Sequence, residues 1–322
     1  MNAPQQDENG PGTALVDTSA FQRIYFDTSA WGHITALPDR NLLTSLIKRM
    51  RQIPLASVVS VAEILRTPDL ETRVSLCETI LTLHRERPVL EQPLVIAEAV
   101  ANAFLRGETA LCLEKSQAAG SFYKALSDPQ NAPIEQVTKW INDMNSKLER
   151  FIRDIRPLMK DEVTNYLSSE VLEREDFLAH LCMFPTAQKL GLSVDQVRGL
   201  CRSTDIWRAL AAMLAYIFQL YTTSARKRRK KDGKRQDRPD GADMWQTLYL
   251  ACAQVFVTGD VWLLEAATEV SRLLKWPRCT LLDLAFLDGL RKLSSTGGAG
   301  IRICSVCGIP RSGARGGHAV VN

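Results

Sequence analysis

The period of the apolar positions changes along the chain. Residues 23–26, Arg-Ile-Tyr-Phe, form a short β-prone run that stops at Asp27-Thr28-Ser29, after which Leu42, Leu43, Leu46 and Ile47 recur at helical spacing. The next unit repeats this order. Pro54 to Ser60 is mostly apolar, as a strand buried on both faces of a parallel sheet would be, and Val61-Ala-Glu-Ile-Leu-Arg opens a helix. Two successive βα units predict an α/β sheet. From about residue 70 to 222 the pattern is helical throughout. Trp140, Met144, Leu148, Phe151 and Ile155 mark one amphipathic stripe, and Ser193 with Gln196 makes a capping box. The α/β pattern then returns, with a helix from about Ala242 to Gln254, the strand Val255-Phe-Val-Thr and a turn at Gly259-Asp260. A helix from Trp262 to Leu274 and a strand near Cys279 to Leu284 follow.

The expected organisation is a lead-in (1–22), the first α/β part (23–69), a helical insertion (70–222), a basic loop (223–242), the second α/β part (243–295) and a Gly-rich tail (296–322). The lead-in and the tail offer too little apolar surface to order themselves. The lead-in also lacks the basic region and apolar run of a secretory signal. The most apolar stretch, Ile206 to Tyr221, is interrupted by Arg208 and Gln219 and is too short for a bilayer span, so it reads as a buried helix.

Composition changes this picture little: 45% hydrophobic and 24% charged residues match an average globular protein. Charge changes it more. Of the formal net charge of +4, residues 226–238 carry nine basic side chains (Arg226, Lys227, Arg228, Arg229, Lys230, Lys231, Lys234, Arg235 and Arg238) against two acidic ones. The rest of the chain is therefore slightly acidic. The run reads as an RNA phosphate-binding loop or, more plainly, as a solvated linker or address signal. Eight cysteines are scattered, mostly within apolar patterns, which fits packing as small hydrophobes in a reducing, cytoplasmic setting. Cys304-Ser-Val-Cys307 is one CxxC without a second pair, short of the four ligands of a structural zinc. His33, His84 and His180 belong to no motif.

Candidate chemistry gathers at the carboxyl edge of the predicted sheet, where open parallel sheets bind ligands. Asp27 ends the first strand, Glu63 begins the helix after the second, Asp243 begins the helix before the third, and Asp260 lies just past that strand. Singly, these acids suit helix caps, first-turn charges or turn residues. Together in one crevice they would repel one another by several kcal/mol at low dielectric unless cations neutralised them. Mg²⁺ or Mn²⁺ suits an all-oxygen site.

The ordered set Ile24-Tyr-Phe-Asp27-Thr-Ser-Ala-Trp31, Ser57-Val-Val-Ser-Val-Ala-Glu63-Ile and Asp243 followed by Val257-Thr-Gly-Asp260 resembles the PIN domain of metal-dependent ribonucleases. The resemblance covers three blocks. It implies a PIN-like α/β/α sandwich with a parallel sheet, interrupted here by the large all-helical insertion. It further implies Asp27, Glu63, Asp243 and Asp260 as metal ligands and catalytic acids, with Asp240 as an auxiliary ligand, and Thr28 and Thr258 as donors that orient carboxylates or waters. The expected activity is divalent-metal-dependent hydrolysis of phosphodiester bonds in single-stranded RNA. RNA is the expected partner, an inhibitor or antitoxin protein is a candidate one, and no membrane is involved. The rival reading is a catalytically silent PIN-like scaffold that binds RNA or a protein through the insertion. A haloacid-dehalogenase-type phosphatase would need an acid where Ser29 stands, and no glycine fingerprint of a dinucleotide-binding or P-loop site follows either early strand.

Overall fold

The structure is a computed structural model. It describes residues 22–38, 52–84, 89–108, 117–155, 168–221, 241–274 and 279–295, positions 40, 41, 45, 47 and 166, and the strand pairs 302–303 and 310–311. Four strands, β1 (Gln22–Phe26), β2 (Gln52–Leu55), β3 (Val255–Val257) and β4 (Thr280–Leu282), form one parallel sheet in the order β2-β1-β3-β4. Ile24 lies opposite Pro54 on one side and Val255 on the other, so the two sequence-distant α/β parts join through β1. Proline has no N–H to give a ladder, and Pro54 is accommodated because β2 borders the sheet. Ile24, Tyr25, Phe26 and all three residues of β3 are fully buried, as a strand covered on both faces requires.

Helices α1 (Thr28–Ala36), α2 (Val58–Leu65) and α12 (Val261–Leu274) follow β1, β2 and β3, and α13 (Leu284–Ser295) follows β4. Between α2 and β3 the described residues are mostly helical: α3 (Leu70–His84), α4 (Pro93–Leu105), α5 (Gln117–Ser127), α6 (Ile134–Ile155), α7 (Glu175–Cys182), α8 (Pro185–Leu190), α9 (Val194–Ser203), α10 (Asp205–Tyr221) and α11 (Gly241–Gln246). The fold is thus mixed α/β and mostly helical. The apolar stripe from Met144 to Ile155 is buried on α6, and the Ser193–Gln196 box caps α9. Helix α10 is buried along nearly its whole length from Ile206 to Phe218, packed against α4, α9, α12 and the 3-10 turn Thr247–Ala251. Among the described residues no helix is long and apolar enough to cross a membrane.

Several boundaries differ from those the sequence suggests. β2 ends at Leu55 rather than continuing to Ser60, because Ser57 and Ser60 form a capping box that starts α2 at Val58. The expected helix to Gln254 stops at Gln246 and tightens into the 3-10 turn. Among the described residues after residue 70, Leu90 makes a sheet-like contact: it bridges Ser57 in parallel, donating to the Ala56 carbonyl at 2.8 Å and accepting from the Val58 amide at 2.9 Å. In the expected tail, Arg302–Ile303 pairs antiparallel with Pro310–Arg311. Leu42, Leu43, Leu46, Cys304, Cys307 and the whole basic run lie outside the described residues, whereas Ile47 is buried. The described cysteines are free, and burial pushes the thiols of Cys77, Cys201 and Cys279 up to about 12, as expected of packing residues.

Candidate active site

β2 lies on one side of β1 and β3 and β4 on the other, so the crevice at the carboxyl ends of β1 and β3 is the topological switch point. Asp27 occupies it. Its side chain is 2% exposed and caps α1, with Oδ1 accepting from the Ala30 amide at 2.8 Å. The Ser29 hydroxyl lies 2.8 Å from both carboxylate oxygens, and the Thr258 hydroxyl donates to Oδ2 at 2.6 Å. Each hydroxyl also accepts a backbone N–H, Ser29 from Gly259 at 2.6 Å and Thr258 from Asp260 at 2.9 Å. Those bonds occupy acceptor lobes on both oxygens and leave their single protons to point at Asp27. Three protons then meet a group with about four acceptor positions, which leaves one lone-pair direction.

The turn that supplies these amides depends on glycine for its closeness. A Cβ on Gly259 would stand 2.5 Å from Leu284 Cδ1 and 3.1 Å from Ser29 Oγ. Asp260 follows at once, half-buried, with Oδ1 accepting from the amides of Trp262 at 2.7 Å and Leu263 at 2.8 Å as the cap of α12. Burial pushes the Asp27 carboxyl above its usual range. The donors Thr258, Ala30 and Ser29 oppose that shift, and the neighbouring Asp260 charge adds to it.

A second polar group forms around Glu63 and Gln246. Glu63, half-buried on α2, accepts through Oε2 from the Thr28 hydroxyl and from Gln246 Nε2, the latter at 3.1 Å. Gln246 is 1% exposed, and its Oε1 accepts from the Tyr25 hydroxyl at 3.0 Å. The buried Tyr25 hydroxyl is also 3.0 Å from Ser57 Oγ. Burial, with the charges of Asp27 and Glu63, holds the phenol proton on far above its ordinary range against the opposing bonds from Ser57 and Ser60.

Glu63 does not open α2 as the sequence suggests. The capping box places it well past the first turn, which holds no acid, so it reaches the site from the side of the helix. Asp243 is half-buried in the first turn of α11, three residues before Gln246 and so on the same helix face. Asp240 and residues 226–238 lie outside the described residues. Asp27 and Asp260 are brought together, and Glu63 is tied to Thr28, the residue beside Asp27. Yet among the described residues no three His, Cys, Asp or Glu side chains stand close enough to hold a metal ion together. The physical reason is local: Asp27, Asp260 and Glu63 each turn toward their own set of donors.

Sequence reasoning missed Gln246 and Tyr25. Gln246 belongs to no motif, and its only signal is the three-residue spacing from Asp243. Of the histidines, His33 pairs with Asp288 of α13 at 2.9 Å. Comparison with protein-family models, curated proteins and solved structures finds no match.

Proposed function

We propose that the protein is a divalent-metal-dependent ribonuclease with a PIN-like sandwich fold, which hydrolyses single-stranded RNA at the β1–β3 switch point. The observation that carries this reading is Asp27: a buried carboxylate beside a second one, at the ligand-binding edge of a parallel sheet, with its hydroxyl donors fixed by the following turn. A buried acid whose ionisation is opposed by burial and a like charge is relieved by a cation.

The donor set fits Mg²⁺ or Mn²⁺ in one specific sense. Mg²⁺ commonly keeps several waters and is held by one or two carboxylates together with substrate phosphate, so a closed cage of three acids is not required. Asp27, with one open lone-pair direction, and Asp260, whose two amide bonds both fall on Oδ1, would hold the ion. Glu63 and Asp243 would act on its waters. When bound, the ion polarises a phosphoryl oxygen and lowers the pKa of a bound water. Ser29 and Thr258 hold the Asp27 carboxylate in a single orientation, and Thr28 does the same for Glu63. The cytoplasm is the proposed setting, and the basic run before α11 supplies phosphate contacts.

A second reading is favoured by a specific observation. Asp27 and Asp260 each cap a helix, which explains both acids without catalysis. In that case the chain is a PIN-like scaffold that binds RNA or a protein partner. One experiment separates the two: cleavage of a fluorogenic single-stranded RNA by the full chain, with Mn²⁺ and with EDTA. The nuclease reading expects cutting only with Mn²⁺, and kcat falling about 100-fold or more in Asp27→Asn and Asp260→Asn with the circular dichroism spectrum unchanged. Absence of Mn²⁺-dependent cleavage in the wild type would sink it.

A further inference from the structure

The polar contacts around Tyr25 form a chain with one direction. The phenol has one proton and gives it to Gln246 Oε1, so toward Ser57 it acts as acceptor, and the Ser57 hydroxyl is the donor there. With its carbonyl engaged by Tyr25, the Gln246 amide can present only its NH₂ to Glu63. The sequence of donors is therefore Ser57, Tyr25, Gln246 and finally Glu63 Oε2. Every member except Glu63 is buried: Tyr25 and Ser57 are fully covered and Gln246 almost so. The Tyr25 ring is stacked between Tyr249 at 5.1 Å and Phe256 at 4.9 Å, so the phenol cannot swing away. Gln246 itself sits at the end of α11, which packs against α2 and α6. Gln246 belongs to the second α/β part, and the helical insertion packs, through α6, on the helix that carries it.

We infer that Gln246, oriented by Tyr25, is a positioning residue that fixes the Glu63 carboxylate for its part in the metal-dependent reaction. The inference rests on the nuclease reading for its kinetic consequence, but the donor chain exists independently of it. The Gln246 NH₂ donates to Glu63 Oε2 at 3.1 Å. Substitution at 246 removes this donor from Glu63 and leaves the Thr28 hydroxyl in place.

Two sets of measurements on the full chain test this. The first uses Mn²⁺ titration calorimetry and RNA cleavage. Gln246→Leu is expected to weaken Mn²⁺ binding and lower kcat by about 10-fold each, as loss of an outer hydrogen bond to a ligand does, while KM for RNA stays within about twofold. Tyr25→Phe should act in the same direction and less strongly, because it frees the amide to rotate without removing it. A KM change with kcat and Mn²⁺ affinity unaltered would overturn the inference.

The second needs no activity. In a double-mutant cycle on the unfolding constant, Gln246→Leu should cost about tenfold with Glu63 present and clearly less on a Glu63→Gln background, because a charge-assisted bond becomes a neutral one. Additive effects would overturn the inference. Should Gln246→Leu fail to fold, the same cycle is run with Tyr25→Phe. A wild type that neither binds Mn²⁺ nor cuts RNA would defeat the nuclease reading instead, and the cycle would still decide whether Gln246 acts on Glu63.

Discussion

Asp27 shows how one residue joins folding to chemistry. As the cap of α1 it satisfies the Ala30 amide, and as a buried acid it carries a charge that burial and Asp260 disfavour. The consequence for stability has a definite sign. A carboxyl whose pKa in the folded state is raised binds its proton more tightly when folded, so its contribution is most favourable at low pH and is lost as pH rises through the folded value. At neutral pH without metal the ionised side chain is therefore a net cost. Asparagine keeps an oxygen for the Ala30 amide and removes the charge. In EDTA, Asp27→Asn should be more stable than the wild type near pH 7 by about 1 kcal/mol. The difference should shrink as pH falls toward 3.8, the ordinary aspartate value. Thermal melts of both proteins from pH 4 to 8 measure this. A variant less stable than the wild type at pH 7 would show that the three converging donors outweigh desolvation.

At the scale of elements, the outcome turns on where strands stop and helices begin. The β1 and β3 runs were legible because Ile24-Tyr-Phe and Val255-Phe-Val are short, apolar and followed at once by an acid or a turn. The second unit was misplaced by a few residues because the mostly apolar run Ala56-Ser57-Val58-Val59 suits a strand or a helix. Periodicity cannot separate the states over so short a run, and the deciding interaction is the reciprocal bonding of Ser57 and Ser60. The same boundary set the place of Glu63. Asp27, Thr258 and Asp260 were legible because capping and turn chemistry are local. Gln246 was not, since its partners Tyr25 and Glu63 are distant in sequence and only the folded chain brings them together. Ser57 belongs to both levels, capping α2 and contacting the Tyr25 hydroxyl. Ser57→Ala should accordingly cost more than an ordinary cap, about 2 kcal/mol in urea unfolding with the slope unchanged, whereas Ser193→Ala on the exposed side of α9 should cost about 1 kcal/mol. Equal losses would mean that the Ser57 contact to Tyr25 adds nothing.

Over the whole molecule, the insertion and the sheet share one continuous apolar core, with α10 buried between the helices that follow β3 and those that precede it. Charge is divided more sharply than apolar surface. Residues 226–238 hold a local +7, while the remaining chain sums to −3 and gathers acids at the switch point. Before a metal loads, those acids repel a polyanion, so productive encounter with RNA needs a positive field nearby. The basic run supplies one, and it enters the chain just ahead of α11, the helix that carries Asp243 and Gln246. Each phosphate it neutralises adds about 0.7 to the slope of log affinity against log salt for a single strand. Replacing the six residues from Arg226 to Lys231 with serine should therefore weaken RNA binding and flatten that slope by roughly 2 to 4, the amount that about three to six phosphates would contribute. KM should rise while kcat is largely kept, because the run acts on capture and not on the acids. Fluorescence anisotropy of a labelled single-stranded RNA, followed from about 50 to 300 mM salt, reads the slope directly. An unchanged slope would make the run a linker or an address signal, and the path of RNA to the switch point would then have to lie over the helical insertion.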